Sequence, residues 1–88
     1  MRAFEQYTNA FHIAFNNGCI VSVSWDTGTY SDNGDKTCEV ACFNRSGMWM
    51  VYSIDEGRFI TLTDGSEVMR EITADQLAEI MYNLKNLK

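Results

Sequence analysis

The chain has no proline, a single histidine and only seven basic residues against twelve acidic ones. Each shortage excludes something. Proline would mark kinks and rigid extended loops, so its absence fits a compact meander of strands joined by short turns. A lone His12 has no nucleophile or carboxylate beside it in any recognisable signature, and a catalytic histidine needs one. A net charge of −5 repels phosphate, which speaks against direct nucleic-acid binding. The ordinary reading of that charge is solubility. No basic opening followed by an apolar stretch is present. No apolar run approaches the roughly twenty residues of a membrane span. The expectation is an unexported cytoplasmic protein with no membrane contact.

What is present suffices for one core. Eighty-eight residues make a single domain, 1–88, which buries about two thirds of its unfolded surface. Five Phe, four Tyr and two Trp can fill a core of that size. The three cysteines are an odd number for a disulfide scaffold. Cys38 and Cys42 on one strand would stand about 13 Å apart, too far to bridge. Reduced thiols serving as small core hydrophobes are the simpler reading, with Cys19 in the same role.

The stretch Phe11–Trp25 organises the rest. Apolar residues alternate on both sides of Asn16-Asn17-Gly18, the pattern of a half-buried hairpin over 10–25. A two-residue turn at Asn17-Gly18 would pair Phe15 with Ile20 and Ile13 with Ser22. A three-residue loop with Gly18 in the left-handed conformation pairs Phe15 with Cys19, Ile13 with Val21 and Phe11 with Val23. Only the second gathers the apolar residues on one face, so it is preferred.

A Gly-, Asn- and Asp-rich segment, 26–36, reads as an acidic loop. A second hairpin is expected over 37–54, with Cys42 opposite Met48, Val40 opposite Met50 and Cys38 opposite Tyr52. Its reverse face would carry Ala41, Phe43, Trp49 and Val51 beside Glu39, less polar than a wet sheet face normally is. Either something covers that face, or an apolar patch is exposed. Arg58–Thr63 reads as a further strand, and Glu67–Ile72 as a short strand or an extended approach to a helix. The helix itself, 74–87, is well marked. Thr73 and Gln76 form a capping box, Asp75 and Lys85 suit its dipole, and Leu77, Ile80, Met81, Leu84 and Leu87 make one apolar stripe. The fold class is α+β: an antiparallel meander of four to five strands with one C-terminal helix packed on one face.

Motifs for chemistry are lacking. Cys38-x3-Cys42 would need Cys19 and His12 to complete a zinc site, and those two fall on opposite faces of their hairpin. With Gly34 as the turn glycine of a calcium loop, its first and twelfth positions would be Thr29 and Val40, which fails the pattern. The glycines match no phosphate-cradling motif. The expectation is a non-enzyme with no metal and no cofactor. The remaining signal is a surface: Tyr30, Phe43 and Trp49 as aromatic anchors, with Trp25 near them, and Asp32, Asp35 and Glu39 as acidic neighbours. The competing expectation is that the helix or the N-terminal arm covers these aromatics.

Phe11-x-x-x-Phe15-x-Asn17-Gly18, Val21-Ser22-Val23, Gly28-x-Tyr30, Glu39-Val40-Ala41 and the closing helix together resemble small uncharacterised bacteriophage proteins. The likeness runs from Phe11 to the end of the chain. It implies expression in an infected bacterial cytoplasm. By analogy with anti-CRISPR proteins of similar size and charge, it implies a protein that binds a basic surface of a host defence or nucleic-acid-handling complex and blocks it sterically. Two other roles are carried forward. One is a sponge for a nucleotide signal, with Arg45, Arg58 and Arg70 as the basic residues available. The other is a self-assembling structural protein, for instance through a homodimer.

Overall fold

The computed structural model describes residues 9–25 and 36–88. Two turns of the same kind set its strand registers. In the first, Phe15 N–H donates to the Cys19 carbonyl and Gly18 N–H to the Phe15 carbonyl, both at 2.9 Å. Gly18 has φ +87°, a left-handed conformation that costs a residue with a Cβ roughly 1–2 kcal/mol. The three-residue loop expected for this hairpin is therefore present. β1 (Ala10–Ala14) and β2 (Ile20–Ser24) pair with Phe11 opposite Val23 and Ile13 opposite Val21.

The second turn repeats the device. Asn44 N–H donates to the Met48 carbonyl and Gly47 N–H to the Asn44 carbonyl, both at 2.9 Å. Gly47 has φ +82°, and the Asn44 side chain accepts from the N–H groups of Ser46 and Met48. This corrects the expected register. Between β3 (Thr37–Phe43) and β4 (Trp49–Ser53), Cys42 stands opposite Met50, not Met48, and Phe43 opposite Trp49. The shift is two residues, so each side chain keeps its face.

After that pair the sheet forks. β3 continues beside β6 (Met69–Thr73), with Cys38 opposite Ile72 and Val40 opposite Met69. β4 turns away with β5 (Arg58–Thr61), a shorter strand than 58–63. At the fork Tyr52 N–H meets the Met69 thioether sulfur at 3.4 Å, which satisfies a donor that has lost its strand partner. Arg70 and Glu71 stand against the single Glu39, a bulge. Glu71 takes up its geometry with φ +51°. The resulting antiparallel sheet has six strands in the order β1-β2-β3-β4-β5, with β6 on the edge of β3 that β4 vacates. The segment read as ambiguous over 67–72 thus contains a strand.

α1 (Ala74–Lys85) starts at the expected capping box: Gln76 N–H donates to Thr73 Oγ1 at 3.2 Å, and Thr73 N–H to Gln76 Oε1 at 3.0 Å. It ends two residues earlier than its apolar stripe, although Leu87 still packs on the core. Ile80 and Leu84 are fully buried against Val21, Val23, Val40, Cys42 and Met50. At about 1.5–3 kcal/mol for each large side chain removed from water, this seam outweighs the helix's intrinsic propensity. Two polar ties fix its position. Tyr52 Oη donates to Glu79 at 2.8 Å and accepts from Asn83 Nδ2 at 3.1 Å. Asn17 Nδ2 donates to the carbonyls of Leu84 and Leu87, at 2.7 and 2.9 Å. No helix among the described residues is long and apolar enough to cross a membrane.

Candidate interaction surface

α1 covers one face of the sheet. The opposite face is built by the other side of the same alternation, since side chains two apart on a strand share a face. The registers align it into rows. Ala14 lies opposite Ile20, Ile20 opposite Phe43, and Phe43 opposite Trp49. Leu62 N–H donates to the Trp49 carbonyl at 2.9 Å, which carries the row one strand further. One apolar row therefore runs from β1 to the end of β5. Alongside it, Val51 lies opposite Ile60, and across the fork Ala41 lies opposite Ser22.

No described element lies over this face. Phe43, Trp49, Val51, Ile20 and Leu62 are half-buried, and Phe43 and Trp49 shield one another. The rings of Phe43 and Trp49 sit 4.6 Å apart, tilted by 57°, a geometry worth about 0.5–1.5 kcal/mol beyond area burial. Ile60, at 38% exposure, extends the patch into solvent. Ala41 is buried. The patch is graded. Apolar groups crowd toward the Asn44–Met48 turn, while Ser24 and Glu39 pair at the other end.

Of the residues singled out as an interaction surface, Glu39, Phe43 and Trp49 share this face. Phe43 and Trp49 touch, and Glu39 stands four residues along β3 from Phe43. Tyr30, Asp32 and Asp35, with most of the acidic loop, lie outside the described residues. Trp25 belongs elsewhere: its ring is 6.0 Å from Phe11 on the core side. His12 is exposed on the open face, while Cys19 is buried on the other. Ile20, Ile60 and Leu62 are patch members that the sequence reading did not select. The signal for Ile20 was available, since it alternates out of phase with Val21 and Val23. Ile60 and Leu62 needed the β4–β5 register, which the pattern Arg-Phe-Ile-Thr-Leu-Thr does not define.

Cys19, Cys38 and Cys42 are free thiols buried on the core face. Burial raises all three pKa values, and the neighbouring Cys19 adds to the effect on Cys42, which is pushed up to about 12. A thiol that stays protonated at neutral pH is a poor nucleophile and a poor ligand. Among the described residues no group of three His, Cys, Asp or Glu side chains stands close enough to hold a metal. No family model, curated protein or solved structure matches the chain.

Proposed function

We propose that the protein is a non-enzymatic inhibitor of phage type, which docks its open sheet face onto a host protein complex and blocks it sterically. The carrying observation is the apolar row Ala14–Ile20–Phe43–Trp49–Leu62 on a face that no described element covers. An apolar patch that the described residues leave open, on a small protein, supports an interface, and the aromatic pair at its centre, with its Trp, suits a binding hot spot. Charge argues for the kind of partner. The chain carries −5, so a basic rim around an apolar contact is the complementary surface. A host machine that handles nucleic acid presents such a rim where its substrate enters. The phage setting rests on the sequence resemblance.

The test is capture from bacterial lysate with the wild-type chain and with Trp49→Ala and Phe43→Ala in parallel. The expected result is a discrete partner retained by wild type and lost by both variants, with retention that falls steeply as salt rises. A partner retained equally by all three removes this face from the function. A chain that self-associates through Trp49 and captures nothing points instead to the assembly role.

A further inference from the structure

A second feature stands at the end of the molecule where the two hairpin turns meet the C-terminal end of α1. There, Asn17, Arg45, Ser46, Phe59, Leu87 and Lys88 line a trough of about 300 Å³, at the lower end of the size range of small-molecule sites. A second hollow of about 320 Å³ adjoins it, shares Phe59, Leu87 and Lys88, and adds Arg58. The chain has twelve acidic and seven basic residues, yet no Asp or Glu side chain lines either hollow, while Arg45, Arg58 and Lys88 do. Arg58 Nε is held by Glu56 at 2.9 Å, which leaves Arg45 and Lys88 as the other cationic side chains of the lining. The floor is apolar: fully buried Met50, and Phe59 with its ring 4.9 Å from that of Tyr52.

Two details make this a built site. Arg45 is anchored at its base and not at its head. A Cβ on Gly18 would lie 2.7 Å from Arg45 Cβ, so the base of the side chain is packed against the first turn. Its guanidinium makes no ion pair among the described residues. The negative end of the α1 dipole points this way and would repel an anion. The Asn17 amide already occupies the carbonyls of Leu84 and Leu87, which blunts that repulsion.

We infer that the trough binds a small planar organic phosphate of nucleoside monophosphate type, with its base against Phe59 and Leu87 and its phosphate on Arg45 and Lys88. A guanidinium fork matches a phosphate in geometry and charge. Arg70, considered beside Arg45 and Arg58 as a basic candidate, lies on β6 and lines neither hollow.

The test is a titration of the ¹⁵N-labelled full chain with AMP, followed by amide shifts. Adenosine and inorganic phosphate serve as separate arms. The expected result is saturable shifts at Asn17, Arg45, Ser46, Phe59 and Leu87 with AMP, and weaker binding of each half alone. Arg45→Gln should weaken AMP binding about tenfold, the loss of one charged hydrogen bond. Its spectrum away from the trough should be unchanged, because Arg45 is exposed. Lys88→Ala gives an independent second reading of the same loss. The inference is overturned by no shift up to roughly 5 mM AMP, a level that even a weak site would register. Shifts confined to the open sheet face, adenosine binding as tightly as AMP, or full affinity in both variants would overturn it equally.

Discussion

Single residues at the hairpin turns bear more of the structure than their exposure suggests. Asn17 joins three parts of the chain: its Oδ1 accepts from Cys19 N–H, and its Nδ2 closes the carbonyl end of α1. Asn17→Ala should cost about 1–3 kcal/mol, since it removes a partly buried tie between the first turn and the end of α1 and takes the partner of the Leu87 carbonyl, and chemical denaturation will read it. Gly18→Ala should be at least as costly. It forces a Cβ into Arg45 Cβ at 2.7 Å and into a left-handed backbone. Glu71 presents the opposite case. It holds φ +51° without being glycine, so Glu71→Gly should leave stability unchanged or raise it by up to about 1 kcal/mol. A lowered denaturation midpoint would show that the Glu71 side chain contributes more than its backbone strain costs.

At the scale of elements, what was legible in the sequence was whatever local chemistry dictates. The first hairpin could be read to the residue because its turn and its alternation agree. The α1 start could be read because Thr73 and Gln76 cap each other. For the second hairpin, alternation alone also admits a register two residues away, because a shift of two leaves parity intact. Cys42 against Met48 and Cys42 against Met50 look alike as apolar pairs. Turn chemistry decides the matter, since Asn44-Arg45-Ser46-Gly47 places its glycine as the first hairpin does. β6 stayed ambiguous for a different reason. It pairs with β3, some thirty residues away, and its bulge puts Met69 and Ile72 on one face three residues apart, which breaks the period of two. The candidate surface was half legible. Alternation along β3 and β4 exposed Phe43, Trp49 and Glu39, whereas the rest of the row depends on which strands lie side by side. The elements also predict their own fragility. Leu84→Ala, a fully buried position in the last turn of α1, should cost about 2–5 kcal/mol, and Thr73→Ala about 1 kcal/mol through the lost cap. Thermal melts of the two variants should differ in that order.

For the whole molecule, the asymmetry of the sheet underlies both the stability and the proposed function. One face holds the core and every cysteine, kept neutral by burial. Tyr52 is raised as well, by burial first and then by its hydrogen bond to Glu79 and that carboxylate's charge. A group whose pKa is raised on folding holds its proton more tightly in the native state than in the unfolded chain. Its stabilisation is complete below the unfolded value and is lost as pH climbs toward the folded one. For Cys42 that window runs from 9.0 to about 12, and the loss across it is on the order of 4 kcal/mol. Urea midpoints should therefore be flat near neutrality and fall above about pH 9. A midpoint that holds steady to pH 11 would contradict a dry, thiol-lined core.

The other face carries the proposed function, and Trp49 is its centre. The most direct measurement is paired capture from bacterial lysate at low and high salt. It compares wild type with Trp49→Ala and with Tyr82→Ala, since Tyr82 is a 64% exposed ring on α1 and serves as a control on the opposite layer. The account predicts one partner held by wild type and by Tyr82→Ala, weakened by more than about 1 kcal/mol in Trp49→Ala and released as salt rises. A partner that ignores Trp49 but is lost with Tyr82 would place the working surface on the helix and contradict it.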